Sequence, residues 1–354
     1  MRSWPAVAPW IAAVMLITVF FVPINAPLAL ACEAALVGAV LAAVHHAEVV
    51  AHRVGEPLGT LILALAVTVI ETSLIVSMML AGGPDAAVLA RDTVFAAVMI
   101  ICNGVIGLCV LVGALKHHEQ SFRTEGAGPA FAALVALSGL VLALPRFTTS
   151  APGPAYSTSQ LVFAGVASLT LWGVFVFVQT VRHREYFLPS GAVSETEHSS
   201  APTTKAAVFS LGLLLISLIT VVGLAKALSP TIEAAVRAVG APEAVIGIAI
   251  ALVVLLPETV AAVRAARANR LQTSMNLALG SALATIGLTI PMVVCASLLF
   301  HLPILLGLEA KELVLLALTY VVGTLTLSSG RTSIMQGAVQ LIVFAAFLFL
   351  AVVP

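Results

Sequence analysis

Apolar residues run through the chain in stretches of about 20, separated by short clusters of charged residues, proline and glycine. Cutting at those clusters leaves eleven apolar runs, near 6–24, 28–52, 57–81, 91–115, 129–147, 158–182, 206–228, 243–265, 271–299, 311–328 and 333–353. A helix of about 20 residues spans the ~30 Å hydrocarbon core of a bilayer, and a backbone in hydrocarbon must satisfy its own hydrogen bonds. The pattern therefore predicts an all-α polytopic membrane protein of about eleven transmembrane helices. The first run follows Met1-Arg2, and Leu30-Ala31-Cys32 faintly imitates a lipoprotein cleavage site. The same hydropathy recurs to the end of the chain, so a first transmembrane helix explains this stretch better than a signal peptide.

Two of the runs repeat each other. Glu56-Pro57-Leu58-Gly59 leads to Glu71-Thr72 after fifteen residues, and Glu243-Ala244-Val245-Ile246 leads to Glu258-Thr259 after the same fifteen. Between them Ala64-Leu65 aligns with Ala251-Leu252, and Val67 with Val254. In the runs that follow, Thr93 matches Thr273 and Ile106-Gly107-Leu108 matches Ile286-Gly287-Leu288, after a slip of seven residues in the loop. Five runs separate the copies, so the second enters the membrane from the opposite side. This is the inverted repeat of secondary transporters, whose ion sites lie at the midplane between the repeats. The expected organisation is an extra N-terminal helix (1–25), a first five-helix repeat (26–182), a polar loop (183–205) and a second five-helix repeat (206–354).

Composition agrees with a membrane chain: 61% of the 354 residues are hydrophobic and 9% charged. Sixteen Lys and Arg balance sixteen Asp and Glu, so no basic field exists to hold nucleic acid. With the N-terminus inside, Arg2, Arg53, Lys116, Arg123, Arg182, Arg184, Lys205, Arg264, Arg267, Arg270 and Arg331 face the cytoplasm, eleven against the five of Arg91, Arg146, Lys226, Arg237 and Lys311. The positive-inside rule selects that orientation and sends the C-terminus to the periplasmic side. Cys32, Cys102, Cys109 and Cys295 lie in apolar runs without a zinc spacing and read as buried small hydrophobes.

The chemistry lies in the few charges inside the runs. Glu71 and Glu258 sit near the middle of theirs, where a charge costs at least ~2.5–3.5 kcal/mol. No Lys or Arg lies within ten residues of Glu71 in its own run, so a mobile cation or a proton is the natural partner. Thr68, Thr72 and Ser73 flank Glu71, and Thr259 follows Glu258. Pro257 removes a backbone donor beside Glu258, and carbonyls freed in this way coordinate cations in transporters. Two carboxylates with hydroxyl, amide and carbonyl oxygens form a ligand set for a hard cation such as Ca²⁺. Asn103, Asn276 and Ser281 fit either the lining of an ion path or close helix packing. Glu48, near the end of the second run, is either an entry carboxylate or a solvated helix end, and His45, His46 and His52 beside it form no strong metal motif. Glu56 and Glu243 open their helices, where guiding ions competes with complementing the helix dipole. No HExxH, GxSxG or Asp-rich prenyl-diphosphate motif marks an intramembrane enzyme.

At these residues the sequence resembles the calcium/cation antiporter superfamily, and within it the bacterial ChaA-type calcium (sodium, potassium)/proton antiporters. The likeness rests on Gly55-Glu56-Pro57-Leu58-Gly59-Thr60 running to Ile70-Glu71-Thr72, and on Leu256-Pro257-Glu258-Thr259 running to Asn276-Leu277-Ala278-Leu279-Gly280-Ser281. The resemblance implies two repeats whose acidic residues, here Glu71 and Glu258, bind the exchanged cation and the protons. It implies export of Ca²⁺, Na⁺ or K⁺ against H⁺ across a bacterial inner membrane, with no cofactor and no partner beyond inorganic ions, protons and lipid. The chain departs from the vacuolar-type pattern. The Gly-Asn before each acid is Val67-Thr68 and Val254-Leu255, and the second-repeat glutamine is Ala284. These lost amides leave room for a mainly Na⁺(K⁺)/H⁺ antiporter. A cation channel is the remaining alternative, distinguished by flux without a proton gradient.

The charge asymmetry predicts that a reporter fused after residue 190 reads cytoplasmic and one fused after Pro354 reads periplasmic. Both reporters on the same side would contradict the odd number of spans.

Overall fold

The structure, a computed structural model, describes residues 4–54, 58–188, 202–238 and 244–353. Thirteen helices account for nearly all of them: α1 (Trp4–Phe21), α2 (Ala26–Val54), α3 (Leu58–Gly82), α4 (Leu89–Met99), α5 (Ile106–His117), α6 (Thr124–Ser138), α7 (Thr158–Phe177), α8 (Thr204–Ala238), α9 (Ala244–Arg267), α10 (Leu271–Ala284), α11 (Ile290–Phe300), α12 (Ala310–Ser328) and α13 (Ile334–Val352). Two dipeptide strands, β1 (Gln120–Ser121) and β2 (Arg331–Thr332), pair antiparallel. Each apolar run in the sequence coincides with a helical segment. Four runs contain a π-turn: Ile100–Val105 joins α4 to α5, Gly139–Ala143 follows α6, Val178–Arg182 follows α7, and Thr285–Thr289 joins α10 to α11. A π-turn adds a residue without changing composition, so hydropathy cannot reveal it. Among the described residues nine helical spans are long and apolar enough to cross a membrane, and a tenth is reached if the two halves of the bent α9 count as one; α3 contributes the apolar stretch Ala66–Leu80.

The chain divides into two compact units, one built from α1, α2, α3 and α8 and the other from the remaining helices. In the first, α2 packs along α8 and α3, and α1 lies against α2 and α8. Pro9 has no N–H to give the carbonyl of Pro5 one turn earlier. His46, buried on α2, supplies the missing donor, with Nε2 at 2.9 Å from that oxygen. Opposite this contact, Trp10, Ile11, Val14, Ile17, Phe20 and Phe21 of α1 are exposed, Phe20 and Phe21 by 78% and 83%. Such a face suits lipid.

In the second unit the continuous span of α4 and α5 is central. Of its apolar window 83% is buried, against 22% for α13 at the periphery. It is surrounded by α9, α10 and α13. Close approach is allowed by glycine: a Cβ on Gly337 of α13 would lie 2.6 Å from the backbone nitrogen of Leu111. Irregular backbone is also buried here, at Ile304, Leu306 and Leu308. It is satisfied by Gly307 N–H donating to Pro154 O and Leu308 N–H donating to Leu142 O, each at 2.9 Å.

Three expectations need correction. Cys295 is exposed, unlike Cys32, Cys102 and Cys109, because it lies on the outer face of α11, where an apolar thiol suits lipid. Arg91, counted above as an outer-face charge, is buried against Asp92. The helix containing run 206–228 continues through Pro230 to Ala238, since intrahelical bonding extends past the end of the hydrophobic stretch. Lys226 is exposed, as expected of a snorkelling lysine.

Alanine at Gly337 is expected to lower the thermal unfolding midpoint in detergent, corresponding to a loss of about 1–3 kcal/mol from overpacking against fixed backbone. Alanine at Gly173, where an added Cβ meets nothing within 4 Å, is expected to leave the midpoint unchanged or raise it.

Candidate cation site

Thr68, Glu71 and Thr72 share one stretch of α3, and all three are buried, Glu71 to 2% exposure. Helical spacing places Thr68 one turn before Glu71 on the same face. Thr72 Oγ1 is buried without a hydrogen-bond partner. These groups belong to the first unit, where α3 packs on α2 and α8.

Glu258 belongs to the second unit and owes its setting to a bend. The axis of α9 turns by 52° between Gly247–Leu256 and Glu258–Arg267. Pro257 lies at the break, and a proline has no N–H to give the carbonyl four residues earlier. Glu258 is thus the first residue of the lower half-helix, half-buried together with Thr259. Thr259 Oγ1 donates to Leu255 O at 2.7 Å, a back-bond that leaves oxygen lone pairs as acceptors.

The upper half of α9 approaches α4 closely at Gly247, where a Cβ would lie 3.0 Å from the backbone of Asp92 and Thr93. The same helix packs on the π-turn that carries Asn103, and α10 packs on both. Asn103 is buried, and its Nδ2 donates to Thr319 Oγ1 at 2.9 Å. Asn276 on α10 has both amide atoms engaged: Nδ2 donates to Phe187 O at 2.6 Å, and Oδ1 accepts from Gln272 Nε2 at 2.9 Å. Its present role is to tie α10 to the segment after α7. Ser281 is half-buried on α10. The second unit therefore assembles the helices carrying Asn103, Glu258, Thr259, Asn276 and Ser281, while Thr68, Glu71 and Thr72 lie in the first.

Of the accessory acids, Glu48 is exposed on α2, and Glu56 and Glu243 fall outside the described residues. His46 is committed to α1 and His45 is exposed. Among the described residues no group of three or more His, Cys, Asp and Glu side chains converges on a metal position.

The sequence pattern did not single out the buried ion pair of Arg91 and Asp92. Arg91 Nε lies 2.7 Å from Asp92 Oδ1, and Nη1 donates to Gly307 O at 3.3 Å. Its signal was two opposite charges side by side at the head of an apolar run, which also fits a solvated helix start.

The chain matches the sodium/calcium exchanger protein family over residues 25–181 and again over 209–353. It belongs to that family. Each matched stretch contains one of the two glutamates, and α1 lies outside both. The chain is 49% identical over 320 residues to y4hA of Sinorhizobium fredii (strain NBRC 101917 / NGR234), covering 90% of this chain and 87% of that protein. It is 34% identical over 308 residues to the sodium-potassium/proton antiporter ChaA of Escherichia coli (strain K12), covering 86% and 83%. The crystal structure of the H⁺/Ca²⁺ exchanger CAX shares the fold, with a TM-score of 0.75 at 17% identity over 98% of this chain and 87% of that one. The family is one of membrane transporters, and the all-α polytopic fold expected from hydropathy is that of its exchangers.

Valine at Thr319 keeps the shape but strands the buried Asn103 amide. It is expected to reduce stability by about 1–3 kcal/mol, read as a lowered unfolding midpoint, whereas serine at the same position is expected to preserve most of it.

Proposed function

We propose that this chain is a secondary cation/proton antiporter of a bacterial inner membrane, with Glu71 and Glu258 as the groups that bind cation and proton alternately. The observation that carries the proposal is the burial of Glu71 with Thr68 and Thr72 inside an apolar span, counterpart to Glu258 at the proline bend of α9. A charged carboxylate in a low-dielectric span is costly, and either a proton or a metal cation lowers that cost. Both compete for the same oxygens. Protonation releases the cation, and cation binding displaces the proton, so each crosses only in exchange for the other as the site opens alternately to the two sides. Two carboxylates allow two protons per divalent cation.

Two separate matches to one family, over 25–181 and 209–353, support the duplicated organisation in which 26–182 and 206–354 are inverted repeats after an extra helix. An N-terminus in the cytoplasm and a C-terminus in the periplasm follow from the charge asymmetry.

The choice of cation rests on ligand chemistry. Hydroxyls at Thr68, Thr72 and Thr259 with two carboxylates suit Ca²⁺. Val67, Val254 and Ala284 withhold the amide oxygens of the vacuolar pattern, and the Escherichia coli relative is named for sodium and potassium. The reading therefore includes Na⁺ and K⁺, and a protein used mainly for monovalent cations is the second reading. In everted vesicles, Ca²⁺ and either Na⁺ or K⁺ added separately are expected to release protons, more strongly at alkaline pH where fewer protons compete. A response to Ca²⁺ alone would overturn the broad selectivity.

Glu71→Gln and Glu258→Gln keep size and hydrogen bonding but cannot titrate. Each is expected to abolish cation-driven proton flux in proteoliposomes while inserting normally, because a neutral amide is cheaper to bury than a charge. A monodisperse Glu71→Gln protein that still exchanges would end the paired-carboxylate mechanism.

A further inference from the structure

The axis of α9 bends by 52° at Pro257, so Glu258 heads the lower half, Glu258–Arg267, and the placement of that half bears on where its carboxylate lies. That half-helix is held at its far end with unusual completeness. Asn269 adopts a left-handed conformation at φ 58° and ends the helix. The Arg264 and Ala265 carbonyls accept from Ala268 N–H, and Ala265 O also accepts from Arg270 N–H at 2.9 Å. The Ala266 carbonyl accepts from Asn269 N–H at 3.1 Å, and side chains from outside α9 donate to it and to the Arg267 carbonyl. Gln120 Nε2 donates to Ala266 O and to Asn269 Oδ1, both at 2.9 Å. Lys116 Nζ and His117 Nε2 donate to Arg267 O at 2.9 and 3.1 Å.

Gln120 is buried to 3% exposure, and Gly113 of α5 lacks the Cβ that would collide with its amide. Its backbone pairs with Thr332, so β1 and β2 anchor it to the turn between α12 and α13. Its Oε1 is buried with no hydrogen-bond partner, a desolvation cost accepted where the N–H₂ group is aimed at α9. A helix end near a membrane surface can have its carbonyls satisfied by water. Three side chains from α5 and β1 instead fix this end to one neighbour, with the Lys116 cation complementing the dipole at the C-terminus.

We infer that Gln120, supported by Lys116 and His117, is a positioning residue for transport: it locks the rotation of the lower half of α9 and thereby the placement of the Glu258 carboxylate. This inference rests on the proposed role of Glu258. About nine residues of helix, roughly 13 Å at 1.5 Å per residue, act as a rigid lever between clamp and carboxylate. A rotation of about 10° at the clamp would shift a side-chain oxygen some 6 Å from the axis by about 1 Å, enough to spoil coordination geometry.

The test is cation-driven proton flux in proteoliposomes holding the full chain, with Ca²⁺, Na⁺ and K⁺ titrated separately. Gln120→Leu is expected to raise the half-saturating concentration of each accepted cation about tenfold, with the maximal rate changed far less. Gln120→Glu, which keeps the shape but loses the donors, is expected to do the same. Thr332→Val removes only a 3.4 Å contact to Gln120 O and is expected to leave the wild-type value. Should Gln120 variants not fold, the surface pair Lys116→Met with His117→Phe decides, with an expected rise of about threefold. A half-saturating concentration within twofold of wild type in whichever of the Gln120 or Lys116/His117 variants folds overturns the clamp. Glu258→Gln is run in parallel. If it still exchanges, the role of Glu258 fails and the inference with it; if it is inactive while the clamp variants keep wild-type affinity, the clamp alone fails.

Discussion

Hydrocarbon offers a backbone no hydrogen bonds, and at three places in this protein irregular or broken helix is met by a specific partner. Where Pro9 deprives the Pro5 carbonyl of its donor, the buried imidazole of His46 replaces it at 2.9 Å. The buried irregular stretch around Gly307 is bonded to Pro154, Leu142 and the Arg91 guanidinium. At the end of α9 the last carbonyls are divided among backbone N–H groups and three side chains. At Pro257 the break lies beside Glu258, where the proposed function would use a freed carbonyl as a cation ligand.

The same constraint explains the economy of charge. With 9% charged residues, the chain keeps few ionisable groups inside its spans, and those it keeps are placed. Arg91 and Asp92 neutralise each other within 2.7 Å, so their burial is a matter of architecture. Glu71 is buried near Thr68 and Thr72, and Glu258 is half-buried beside Thr259; under the proposed function, exchange of proton for cation would give their charge a changing partner. Asn103 donates its Nδ2 to Thr319, and Asn276 bonds Phe187 and Gln272 through its amide.

Close packing of the second unit depends on small residues at particular positions. Gly247 admits α4, Gly337 admits the backbone of α5, and Gly113 leaves the space that the Gln120 amide enters. Membrane helices gain no hydrophobic advantage from packing on one another, so proximity of backbones and a few interhelical hydrogen bonds carry the association. The Gln120 network belongs to this pattern, with the difference that its acceptors terminate the half-helix that begins at Glu258.

By itself the sequence determined the helical spans, their inverted duplication as a reading, and the glutamates worth attention, because length, hydropathy and the cost of a buried charge are local quantities. The kink at Pro257 was legible for the same reason, since a missing N–H acts on its own helix. The tertiary structure alone decided which polar residues are consumed by packing. For Asn276 the sequence left ion path and helix packing open, and the structure engages its Nδ2 with Phe187, 89 positions away. Arg91 looked solvated until Gly307 and Asp92 enclosed it. Gln120 gave no signal, because its function lies in carbonyls 146 residues distant, and hydrogen bonds between remote segments leave no periodicity in the chain.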